Sequence, residues 1–125
     1  AHDGLWEAAE KTADDPLARM ALVPMTLEAR GLDTTPATIR RLDAAGDPAT
    51  VAVLETILQD EIDHVAVGTR WFKHLCAARG EPDPPARYRA LIAALFQGGL
   101  KPPFNHEARA AAGMEPAFYD AGEAA

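Results

Sequence analysis

The chain has 125 residues, 48% hydrophobic and 25% charged, the balance of one globular domain rather than of a disordered polymer. Its formal net charge of −7 argues against a surface-wide electrostatic grip on nucleic acid or anionic lipid, though not against a local basic patch. The single Cys76 excludes an intramolecular disulfide, and no apolar run reaches the ~20 residues that a bilayer demands, so a soluble, cytoplasmic protein with no membrane partner is expected.

The sequence opens AHDGLWEAAE, with no initiator methionine and no signal-peptide pattern, and so reads as a processed protein or a piece of a longer one. Strand signals are poor. Aromatic residues make up 6% of the chain, and β-branched residues do not alternate with polar ones. Helix boundaries recur instead as a cap residue followed by proline. Gly4 to Ala13 reads as a first helix. The signature at Asp14–Pro16 opens a second, which runs to about Arg30, where Gly31 supplies a stop. Pro24 sits inside it, removing one backbone hydrogen bond and bending the helix. Thr34–Pro36 opens a short helix ending near Ala45 and Gly46. Gly46–Pro48 opens the longest, unbroken until Gly80. At about thirty residues it spans ~48 Å. Another helix covers roughly Pro84 to Gln97, closed by Gly98-Gly99, and Asn105 caps a last one closed by Gly113. This predicts a single all-α domain over residues 1–125, without internal repeats, in which EPDPP and KPP are tight connectors. A helix this long in a small chain belongs to a bundle, with the Pro16–Arg30 segment as its antiparallel neighbour.

The stretch LQDEIDHVAVG, Leu58 to Gly68, crowds three carboxylates and a histidine into an apolar helix. With Glu61 at zero and ~100° per residue, Leu54 and Phe72 fall near +20°, Gly68 near −20°, Ile57 and Leu75 near −40° and His64 near −60°. Glu61 is thus centred on the apolar stripe with His64 at its shoulder. Asp60, near −100°, is at the margin, and Asp63, near −160°, points to solvent. On the preceding helix, with Glu28 at zero, Ala21, Leu17 and Pro24 all fall within about 40° of it, while Arg19, Thr26 and Arg30 lie opposite. Two inward carboxylates repel each other and resist burial unless something cationic sits between them. Lysine and arginine are scarce on these faces, so a metal ion is the economical counter-charge. E-x-x-H places a carboxylate and an imidazole one turn apart, within reach of one ion. Carboxylate-bridged di-iron bundles combine a Glu from each of two helices with an E-x-x-H from each of the other two. Glu28 with Glu61–His64 is half of that set, in the order of its second half. Asp60 is a candidate to orient His64 from behind.

Other features read more plainly. His2, His74 and His106 have no ligand partners at helical spacing, and His74 faces outward. Cys76 is a small buried hydrophobe, and Trp71-Phe72 is core packing. Arg70, Arg79, Arg87 and Arg89 form a solvated face. No H-E-x-x-H, phosphate-cradling glycine loop or nucleophile elbow is present.

Three blocks, MALVPMTLEARGLD, LQDEIDHVAVGTRWF and KPPFNHEARAAAG, resemble in order the bacterial ferritin-like family catalogued as domain of unknown function 455. The resemblance implies a ferritin-like bundle of which this chain is the C-terminal half, lacking an N-terminal helix pair with the other Glu and the other E-x-x-H. It further implies a di-iron or related centre, with iron as cofactor or manganese in its place, and relatives that include a tRNA hydroxylase. Glu28, Glu61 and His64 are then the metal ligands of a non-haem oxidoreductase acting on a small molecule or tRNA. Iron storage and a metal-free helical interaction module are the alternatives. The missing half-shell would come from the absent helices or from a second copy in a homodimer.

Overall fold

The computed structural model describes residues Gly4–Asp120, and every regular element among them is helical. His2 and the ends of the chain lie outside the described residues. The helices are α1 (Gly4–Lys11), α2 (Pro16–Leu22), a π-helical segment (Val23–Glu28), α3 (Arg30–Ala44), α4 (Pro48–Ala78), α5 (Pro84–Leu95), α6 (His106–Ala111) and α7 (Pro116–Tyr119). The cap-then-proline signatures act as expected everywhere except at Thr34–Pro36. Asp15 accepts from the amides of Leu17 and Ala18, Asp47 from Thr50 and Asp83 from Ala86, each before a proline whose missing N–H costs nothing in the first turn. Asn105 caps α6 through the Ala108 amide at 3.1 Å.

The expected break at Gly31 does not occur. Gly31 lacks the positive φ that a left-handed cap needs, and α2, the π segment and α3 form one rod. It is interrupted only at Ala29, whose own backbone is helical at φ −62° and ψ −24°. Pro36, expected to open a helix, lies inside α3. An interior proline strands the carbonyl four residues earlier, here Leu32. That carbonyl accepts from the Asn105 side-chain amide at 3.0 Å, so the loop before α6 supplies the hydrogen bond that Pro36 cannot. The first and fifth expected helices also end two residues early, at Lys11 and Leu95.

α3 folds back along α4, and α2 with the π segment packs against the other half of α4. The fully buried positions of α4 all lie in its C-terminal half: Val65, Gly68, Thr69, Phe72 and Cys76. There Phe72, Tyr88 of α5 and Phe118 of α7 meet edge-on, with centroids 5.7–6.3 Å apart, the geometry that aromatic quadrupoles favour. Trp71, expected in the core beside Phe72, is instead 52% exposed. Neighbours on a helix diverge by ~100°, so the pair cannot share one face.

A buried ion pair ties α3 to α6. The Arg109 guanidinium donates from Nε to Asp33 Oδ1 at 3.0 Å and from Nη2 to Oδ2 at 2.7 Å. It lies over the rings of Phe104 and Tyr119. Asp33 also accepts from the Asn105 amide, so both of its oxygens are engaged.

Candidate metal centre

Glu28 ends the π segment and faces α4 across the bundle. One ligand atom from each of Glu28, Glu61 and His64 can be chosen so that all three lie within 4.8 Å of one another. His64 Nδ1 lies 3.3 Å from Glu61 Oε1 one turn earlier on α4, the contact that E-x-x-H spacing allows. Glu28 and Glu61 are half-buried and His64 is exposed. The two carboxylates line an open depression with Leu5, Leu27 and Gly31. His64 lines its neighbour with Met20, Pro24 and Val67.

The inward orientation expected for His64 therefore needs correcting. Viewed down α4 from Glu61, the buried residues Val65, Gly68, Thr69, Phe72 and Cys76 centre near +35°, not on Glu61 itself. Glu61 sits at the edge of the core and His64 beyond it. Their neighbours on that side, Val53, Ile57, Val67 and Trp71, are all exposed. They follow a three-and-four spacing with His64 in the middle, the seam by which one helix packs along another.

Burial holds the Glu28 carboxyl above the usual carboxylate range, and the Glu61 charge raises it further, while His64 opposes them. An uncompensated carboxylate pair behaves in this way, and a bound cation would reverse it. Two carboxylates and an imidazole are a donor set that suits iron or manganese. Together they fit one ion with coordination positions to spare. A second ion needs donors that Glu28, Glu61 and His64 do not supply. Asp60 is exposed and does not join this cluster. Asp63 is exposed and accepts from Gln59 at 3.3 Å. His74 is exposed and meets Trp71 edge-on. His106 shares a 2.8 Å hydrogen bond with Tyr119. Cys76 is fully buried, and burial pushes its thiol pKa up. Of the arginine strip, Arg79 pairs with Asp15 and Arg87 with Glu81, while Arg89 donates to the Ala117 carbonyl.

Sequence reasoning missed the support behind Glu28. Thr26, placed on the opposite face, is buried there rather than solvated, and its Oγ1 lies 2.6 Å from the Tyr88 hydroxyl. Gly68 is the other support. A Cβ on Gly68 would sit 2.4 Å from Pro24 Cγ, so only glycine lets α4 approach the proline ring this closely.

The profile of the family described as "Protein of unknown function (DUF455)" matches residues 1–120. An uncharacterized protein of Haemophilus influenzae is 51% identical over 80 residues, which are 64% of this chain and 28% of that protein. The matched stretch thus spans less than a third of that relative. No solved structure matches. Among the described residues, no helix is long and apolar enough to cross a membrane.

Proposed function

The chain belongs to the DUF455 family, and from the convergence of Glu28, Glu61 and His64 we propose that it carries half of a ferritin-like, carboxylate-bridged metal centre. The observation that carries this reading is the cluster itself. Two carboxylates from different helices, one of them with a raised pKa, meet an imidazole with no lysine or arginine in the group. A divalent cation among them would offset the burial and the carboxylate repulsion that raise the Glu28 pKa. Iron is the proposed occupant, with manganese as the second choice.

Bound iron would supply redox chemistry toward dioxygen, which makes a hydroxylase or related oxidoreductase the proposed activity, on a small-molecule or tRNA substrate. Within the chain, Glu28 and Glu61 provide negative oxygen donors from two helices, and His64 a neutral nitrogen from the open side. The exposed seam Val53–Ile57–Val67–Trp71 around His64 supports a complementary apolar helix face with further donors. We assign that face to helices beyond this chain, or else to a second copy.

Anaerobic Fe(II) titration of the full-length gene product tests the reading. Saturable uptake is expected, with an absorbance change when dioxygen is admitted and loss of uptake in Glu61→Ala. Unaltered uptake in that variant, or none in the parent, would overturn it. Uptake of many ions per chain would indicate storage instead.

A further inference from the structure

The aim of Glu28 depends on the shape of the rod that carries it. A plain α-helix would place Glu28 in line with Leu17 and Ala21, which are both fully buried. Glu28 is only half-buried and turned toward Glu61 and His64. The π segment accounts for the difference. It fits one extra residue into a turn, which rotates the residues after it by up to ~100° relative to those before it.

A π turn is a strained local choice, and here its supports can be named. Pro24 has no N–H to return to the Met20 carbonyl. The Ala29 amide reaches back five residues, to Pro24, at 3.1 Å. The Thr26 hydroxyl donates to the carbonyl five residues earlier, Ala21, at 2.7 Å. Tyr88 closes the arrangement from α5. Its hydroxyl is 2.6 Å from Thr26 Oγ1 and 3.0 Å from the Met25 carbonyl. Thr26 spends its proton on Ala21, so the Tyr88 proton serves Thr26 and Met25 together. The ring above it is fully buried against Phe72 and Phe118, which fixes the hydroxyl relative to α4.

We infer that Tyr88, through Thr26 and the Met25 carbonyl, is a positioning residue that holds the π turn and thereby points Glu28 at the metal. This rests on the metal reading above, and it adds a requirement that no ligand residue carries. The hydroxyl of Tyr88 meets Thr26 and the Met25 carbonyl rather than a ligand, so removing that oxygen acts on Glu28 through the backbone of residues 25–28 while the ring's packing on Phe72 is kept.

The test uses Co(II) as probe on the full-length gene product, with affinity from calorimetry and ligand geometry from the visible spectrum. Tyr88→Phe removes one oxygen and Thr26→Val the other. Each should weaken Co(II) binding by on the order of tenfold and alter the spectrum, as loss of a ligand's supporting hydrogen bonds does at other metal sites. The double variant should be little worse than either alone, because the two act as one unit. Thr26→Ser, which keeps the hydroxyl, should restore parent affinity. Met114→Ala, which cuts a buried residue beside Arg109, should lower the thermal midpoint without changing the Co(II) affinity. If Glu61→Ala abolishes binding while Tyr88→Phe and Thr26→Val bind as the parent does, the positioning role is wrong and the metal site stands. If the parent binds no Co(II), the metal reading fails and takes this inference with it.

Discussion

At Gly68 and Pro24, α4 and the rod opposite approach closely. The proline ring is rigid, so a methyl group on residue 68 cannot be absorbed by a rotamer change and must push the helices apart. Gly68→Ala is expected to destabilise the chain by about 1–3 kcal/mol, the usual range for overpacking, although alanine is the better helix former. Urea unfolding monitored by circular dichroism measures this, and a stability at or above the parent's would show that the contact is slack. Tyr88 gives a residue-scale prediction in pH. Burial pushes its hydroxyl from 10.0 up to about 12, so the folded state holds the proton after the unfolded chain has released it. The stability this contributes is fully present below pH 10 and lost as the pH rises through 12. A pKa difference of about 2 corresponds to roughly 3 kcal/mol. The parent should therefore lose stability between pH 10 and 12 more steeply than Tyr88→Phe does, as read from unfolding curves across that range.

Between elements, the link from α3 to the loop before α6 is the most exacting. Asn105 serves three backbone or side-chain groups: its side chain caps Ala108 and satisfies Leu32, while its amide meets Asp33. Asn105→Ala is expected to cost about 1–3 kcal/mol, because it removes a cap and leaves the carbonyl stranded by Pro36 without its donor. The Arg109–Asp33 pair beside it is buried on both sides. Arg109→Leu alone should cost up to about 3–5 kcal/mol, since buried Asp33 then loses its two-pronged partner and keeps only the Arg30 guanidinium at 3.6 Å. Adding Asp33→Ala should recover part of that loss, and thermal denaturation of the single and double variants measures the coupling. This link also marks where the sequence stops being legible. The all-α class, the four side-chain caps and the long α4 follow from local signals, because a cap acts on the next three residues. Gly31 reads locally as a stop and Pro36 as a start, yet α3 runs through both, and at Pro36 it is a residue about seventy positions away that satisfies Leu32. The π turn and the burial of Thr26 depend in the same way on Tyr88. Glu28, Glu61 and His64 do come together, but a 100° wheel misjudges their depth: it takes His64 inward, and drawn through a π turn it buries Glu28 with Leu17 and Ala21. No sequence pattern could have announced Arg109 as buried, since arginine is rarely enclosed and its partner lies far off in the chain.

For the molecule as a whole, one side of α4 presents apolar side chains to solvent. Val53, Ile57, Val67 and Trp71 are exposed along one seam, and Leu5 and Trp6 of α1 are exposed as well. Scattered apolar residues are ordinary on a protein surface, but two exposed apolar pairs on one side of a helix, Val53–Ile57 and Val67–Trp71, with His64 between them, favour an interface. The same residues bracket His64, so whatever covers them also closes the open side of the Glu28–Glu61–His64 cluster. The 125-residue chain on its own should therefore self-associate with rising concentration. Replacing Ile57 and Trp71 together by lysine should keep it monomeric in sedimentation velocity. Neither side chain is buried in the core, so the double variant should change unfolding free energy by no more than about 0.5 kcal/mol per site. On the proposed metal reading, the same substitutions in the full-length gene product should act on metal affinity instead, because they disturb the packing that would bring further donors to His64. A chain that stays monomeric at high concentration, together with unchanged metal affinity in the full-length variant, would mean that this face is solvated in the working protein and that the remaining donors approach from the Leu5–Leu27 side.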